Sequence, residues 1–230
     1  MSVEIHGTIS DGWDLLLEQF EHNFDRFGEL GASVCVTYGG ETVVDLWAGD
    51  RDMEGNPWLE DTIAIVNSCT KGAVALACHL LADRGLLDLD APVAEIWPEF
   101  AHGAKADATT RMMLNHTTGV AAFRDDLPKG AAFDWDYMCD RVAAEEPWWA
   151  PGTRNGYHLM SFGWVAGELV RRASGRSLGT FFREEVAEPA GSDFWIGLPP
   201  VEHHRVSPLR PFKPEKNEKF SAFTRAFIAD

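Results

Sequence analysis

Between Thr62 and Gly85 the chain changes character at a single point. The run Thr62-Ile63-Ala64-Ile65-Val66 is short, apolar and partly β-branched, which predicts an extended or strand-like entry. Asn67-Ser68 then supplies residues that favour a helix start, and from Cys69 through Arg84 the residues are good helix formers. Val74, Cys78 and Leu81 recur at three- and four-residue spacing, predicting one buried face, and Gly85 stands where a C-terminal cap belongs. Ser68 and Lys71 of Ser68-Cys69-Thr70-Lys71 are three residues apart, so on such a helix their side chains are neighbours. A serine hydroxyl is a weak nucleophile without a base, and a lysine amine held neutral can serve as one. The unpaired N–H groups and positive dipole end of a helix start suit an oxyanion developing beside Ser68. Taken alone, the tetrapeptide is far more often a helix cap followed by a solvated lysine than a catalytic pair.

Composition narrows the classes. At 230 residues, 45% hydrophobic and 24% charged, the chain is long enough for one substantial globular domain or two small ones. A formal net charge of −16 opposes nucleic acid or an anionic membrane as partner, because a polyanion would be repelled. Met1 to His6 has neither the basic region nor the apolar run of a secretory leader, and no apolar stretch reaches membrane-spanning length. The cysteines Cys35, Cys69, Cys78 and Cys139 form no Cys-x-x-Cys pair, so metal fingers and a disulfide framework are not expected and a cytoplasmic location is. Cys69 is expected to pack within the helix. His203-His204 lacks a third ligand at usable spacing and reads as surface, and neither a metal nor a cofactor is expected.

The remaining pattern is mixed α and β. Trp13, Leu16, Leu17, Phe20, Phe24 and Phe27 predict an amphipathic helix over residues 11–29, with Ser10 and Asp11 as cap candidates. Residues 32–38 and 42–47 flank Gly39-Gly40-Glu41, the pattern of a β-hairpin with a tight turn. Helices are predicted again from Thr109 to Leu114, about 134–146, 161–173 and 178–187. Pro147-Trp148-Trp149-Ala150-Pro151-Gly152 breaks the pattern sharply. Trp148 and Trp149 are candidates for the wall of a substrate pocket or for core packing. The stretch beyond Gly197 turns proline-rich, and residues 220–230 carry no interpretable pattern. No Gly-x-Ser-x-Gly elbow is present, which argues against an α/β-hydrolase route to serine chemistry.

Four segments in this order carry a resemblance: Ser68-Cys69-Thr70-Lys71-Gly72; Arg84 to Val93; Leu114-Asn115-His116-Thr117-Thr118-Gly119-Val120; and Pro151-Gly152-Thr153-Arg154-Asn155-Gly156-Tyr157-His158. Together they resemble the serine β-lactamase and penicillin-binding-protein superfamily, in its class C β-lactamase-like branch with the family VIII carboxylesterases. The resemblance runs from about residue 10 to about residue 210. It implies an α/β fold of the α+β type, an antiparallel sheet flanked by helices with a helical region. It implies one such domain over 1–230, with the N-terminal helix, hairpin and nucleophile helix in 1–90, a mainly helical region in 91–210, and 211–230 unassigned.

Carried over position by position, the resemblance implies Ser68 as the acylated nucleophile and Lys71 as the group that assists its deprotonation. Tyr157 is similar to the tyrosine that acts with the lysine as acid and base; on its residue type alone it would be a buried aromatic with a satisfied hydroxyl. His116 is expected to stabilise its turn. Two positions depart from the family pattern. Leu159 stands where many members carry an asparagine that orients polar groups of the substrate, which leans toward ester hydrolysis. No Lys-Thr-Gly or His-x-Gly follows Tyr157, since His203-His204-Arg205 and Lys213-Pro214-Glu215 do not fit. The resemblance therefore implies an incomplete sheet and one oxyanion donor fewer, a loss that typically costs about 3 kcal/mol in the barrier.

The expected function is a serine hydrolase on small carboxylic esters or amides through an acyl-enzyme. The alternatives are a catalytically silent scaffold that needs a partner, and a β-lactamase. An uncovered sheet edge also invites association into a homo-oligomer.

Overall fold

A computed structural model describes residues 3–209, and they fall into two compact units, one of residues 1–65 with the stretch from 200 and one of residues 66–199. Lys213-Pro214-Glu215 and residues 220–230 lie outside the described residues.

The first unit is built on a three-stranded antiparallel sheet ordered β1-β3-β2, from β1 (Ile5–Ile9), β2 (Gly31–Tyr38) and β3 (Glu41–Gly49). The predicted hairpin is β2–β3. Tyr38 pairs with Glu41, and the two residues between them, Gly39 and Gly40, both have positive φ (62° and 90°), as a two-residue hairpin turn compatible with the strand twist demands. The register shifts between Val36 and Thr37, marking a bulge. β1 was not expected from the sequence. It pairs with β3 from Ile5 opposite Ala48 to Ile9 opposite Val44, so the hairpin is not left as an isolated pair.

Helix α1 (Asp14–Phe27) lays Leu16, Leu17, Phe20 and Phe24 on the sheet against Val44, Leu46 and Ala48. The capping expectation needs correction: Trp13, not Ser10 or Asp11, is the N-cap, and no side chain caps the first turn. The extended entry before Ser68 is the two-residue strand β4 (Ile63–Ala64), paired in parallel with β5 (Val206–Ser207).

The second unit is helical. It contains α2 (Thr70–Asp83), α3 (Thr110–Leu114), α4 (Trp135–Ala144), α5 (Phe162–Ser174), α6 (Leu178–Phe182) and α7 (Glu188–Ala190). Helix α5 is buried on nearly every side. Its Phe162, Ala166 and Val170 pack with Val74, Ala77, Cys78 and Leu81 of α2, the face the sequence spacing predicts. Its Val165 and Leu169 pack in a second cluster with Trp97, Phe100, Met113 and Val142. The single helix expected over 178–187 is instead α6, a π-helical turn at Arg183–Ala187, and α7. No helix among the described residues is long and apolar enough to cross a membrane.

Candidate active site

Ser68 lies in a 3₁₀ turn, Asn67–Cys69, that feeds directly into α2. Asn67, just before it, has φ 43°, a left-handed conformation that asparagine tolerates better than most residues. The turn leaves Ser68 exposed and one helical turn from Lys71, whose Nζ donates to Ser68 Oγ at 3.3 Å. Lys71 Nζ also donates to the Leu159 carbonyl at 3.3 Å and sits 4.7 Å from the centre of the Tyr157 ring and 5.6 Å from that of Phe162. Hydrogen bonds from the Ser68 side chain and then the Lys71 amine hold the Tyr157 phenol below its ordinary pKa. Ser68, Lys71 and Tyr157, 89 positions apart at the extremes of the sequence segment they span (157 − 68), thus converge on one spot. The far end of α2 closes as predicted: Gly85 (φ 67°) donates to Ala82 O, and Leu86 to Leu81 O.

The segment bearing Tyr157 is fastened to the turn after α3. Trp148 N–H donates to Gly119 O (2.8 Å), Gly152 N–H to Thr117 O (2.9 Å) and Gly156 N–H to His116 O (3.0 Å), while Asn155 Nδ2 donates to Asn115 O (2.7 Å). The N–H of His158 donates to His116 Nδ1 (3.2 Å). The His116 ring faces those of Tyr157, His158 and Phe162, with centroids 4.9 to 5.2 Å away.

Behind it, fully buried His158 places Nε2 2.8 Å from Thr118 Oγ1. Burial, then the neighbouring His116, pushes His158 down to about 4. Burial, then Lys71, also lowers His116. Both rings are therefore neutral at neutral pH. His158 is the residue whose placement the sequence did not reveal. It lay inside a quoted motif, but a histidine next to a tyrosine carries no burial signal of its own.

The other predicted residues sit as follows. Leu159 contributes its carbonyl to Lys71, and its side chain is exposed. Trp148 is half-exposed; its indole N–H donates to Ala122 O (3.0 Å) and Arg124 lies 4.2 Å over its ring. Trp149 packs against the backbone of Gly156, so closely that a Cβ there would fall 2.1 Å from the indole. Cys69 is exposed and does not pack in the helix; the buried thiols are Cys78 and Cys139. Burial pushes the Cys78 thiol up to about 12, as befits an inert packing residue. His204 Nδ1 lies 2.8 Å from Val201 O, and no group of three or more potential ligands for a metal is found among the described residues.

The Beta-lactamase family model matches residues 20–219. The chain belongs to the beta-lactamase family. It is 40% identical over 179 residues to the esterase/beta-lactamase LipL of Mycobacterium tuberculosis, an alignment that covers 77% of this chain and 41% of LipL. It is 34% identical over 183 residues to the esterase EstB of Burkholderia gladioli, covering 70% of this chain and 45% of EstB. Among solved structures, a novel penicillin-binding protein homolog from Caulobacter crescentus superposes with a TM-score of 0.87 at 39% identity, over 97% of this chain and 61% of that one. A family VIII carboxylesterase superposes at 0.84 with 43% identity, over 89% and 57%. This beta-lactamase-family chain thus spans less than half the length of those two curated relatives.

Proposed function

We propose that the chain is a serine hydrolase that cleaves small carboxylic esters through an acyl-enzyme on Ser68. The observation that carries this reading is the joint placement of a hydroxyl, an amine and a phenol: Lys71 Nζ lies 3.3 Å from Ser68 Oγ and 4.7 Å from the centre of the Tyr157 ring, and Ser68 and Lys71 hold the phenol below its ordinary pKa. In this reading Ser68 Oγ attacks the ester carbonyl and its proton passes to the Lys71–Tyr157 pair. The oxyanion of the tetrahedral intermediate forms at the turn that starts α2, where the backbone N–H of Ser68 serves as donor. As the C–O bond breaks, Tyr157 returns the proton to the leaving alkoxide. Water then attacks the acyl group by the reverse proton path and frees Ser68.

Esterase names among the relatives and the apolar side chain of Leu159 support esters over lactams as substrates. Exposed Leu159 and Met160 beside Tyr157, with Trp148 on the neighbouring segment, would offer apolar contact to an acyl or alcohol group. Hydrolysis of short-chain nitrophenyl esters tests the reading. Ser68→Ala is expected to lose at least about a thousandfold in kcat and to lose labelling by a covalent serine probe. Equal rates for the two proteins would sink it. Faster turnover of a chromogenic cephalosporin than of any ester would move the assignment to a β-lactamase.

A further inference from the structure

The turn that ends α3 has the geometry that elsewhere in this chain is given to glycine. Thr117 N–H donates to Met112 O (2.8 Å) and His116 N–H to Met113 O (3.3 Å), the same pair of bonds that Leu86 and Gly85 make at the end of α2. In this motif the residue just past the cap adopts the left-handed conformation, which is why glycine is the usual occupant. At the end of α2 it is Gly85, with φ 67°. At the end of α3 it is His116, with φ 65°. A side chain is uncommon at such a backbone position, which directs attention to the contacts that His116 makes and glycine could not.

That contribution is visible on both flanks of the tyrosine. The His116 carbonyl takes the N–H of Gly156, and His116 Nδ1 takes the N–H of His158, so one residue grips the backbone immediately before and after Tyr157. The imidazole also lies against the Tyr157 ring at 4.9 Å. Its Nδ1 accepts a proton donor, so the ring approaches Lys71 as a neutral group rather than as a competing cation. His158 completes the grip from behind through Thr118. Resting on the acyl-enzyme reading of Ser68, we propose that His116 is a positioning residue. It occupies a glycine position so that its imidazole can fix the Tyr157 phenol against Ser68 and Lys71.

The proposal is tested by replacing His116 with the residue its backbone would prefer. The chain has three tyrosines, and phenolate absorbance is expected to show one titrating earlier than the others in the wild type and to lose it in Tyr157→Phe. In His116→Gly the turn is relieved and the thermal midpoint is expected to hold or rise. The early titration nevertheless moves up to the ordinary tyrosine range, and ester kcat falls at least tenfold with KM within twofold. His116→Asn tolerates the left-handed backbone and offers an amide oxygen to the His158 N–H, so it recovers part of both signals. It also serves as the folded comparison if the glycine variant does not express. Retention of the early titration and of wild-type kcat in His116→Gly would overturn the proposal. Failure of the acyl-enzyme reading looks different: Ser68→Ala would then hydrolyse esters normally, while the titration still reports on His116.

Discussion

His158 is a histidine that the folded chain keeps neutral. Its pKa is displaced by burial, and next by His116, from 6.5 to about 4. Between those two values the unfolded chain binds a proton that the folded chain refuses. Stability therefore falls as pH drops through the window from 6.5 to 4 and is fully present above it. The whole shift corresponds to about 3 kcal/mol. Urea melts at pH 7 and pH 4.5 should show this loss in the wild type and a shallower dependence in His158→Gln; parallel pH dependences would remove His158 as the cause. Residues of this kind explain what the sequence could and could not disclose. Ser68, Lys71 and Tyr157 stood out in the sequence as candidates because their types and order suggest chemistry, and the fold brings them together. The grip of His116 on Tyr157 was not legible there, since it depends on a φ angle and on backbone bonds between segments 40 residues apart.

At the scale of an element, α5 was readable from its apolar residues yet holds a charge that periodicity would assign to solvent. Glu168 is fully buried. Arg171 bonds it through Nε and Nη2 (2.6 and 2.7 Å), Arg172 through Nε (2.7 Å), and Trp135 of α4 through its indole N–H (2.9 Å). Burial would raise its pKa, but the bonds from Arg171, Trp135 and Arg172 prevail and hold it down to about 2. The pairings at three and four residues' spacing were in the sequence; that they sit beneath α4 was not. Glu168→Ala would take away the acceptor of the Trp135 indole N–H and leave Arg171 with Asp136 and Arg172 with Glu99 and the Ile96 carbonyl. It is expected to destabilise by about 1 to 3 kcal/mol in chemical denaturation, whereas loss of an exposed pair such as Arg111–Asp90 should leave the unfolding midpoint almost unchanged. Strand β1 was missed for a simpler reason. Ile5 and Ile9 pack with the sheet cluster, but Gly7 between them has no side chain, so no alternation marks the strand.

Across the whole molecule, a net charge of −16 sets carboxylates against one another even though many arginines are locally paired. Raising ionic strength from about 0.01 M to about 0.15 M shortens the Debye length from about 30 Å to about 8 Å. Exposed pairs contribute little individually, so relief of the net repulsion should dominate and the thermal midpoint should rise with salt; a fall would mean that the surface pairs outweigh the net charge. The class of fold was legible at this scale from four ordered segments. The division into units was not, because the first unit draws on both ends of the described chain. The parallel pairing of Ile63 with Val206 and Ala64 with Ser207 lies inside the first unit, just before the polypeptide leaves it after Ile65 and one short turn, Pro200–Arg205, after it returns. The stretch 66–199 holds Ser68, Lys71, His116 and Tyr157 together, so a change confined to the first unit leaves every one of the candidate residues within an unaltered segment of sequence.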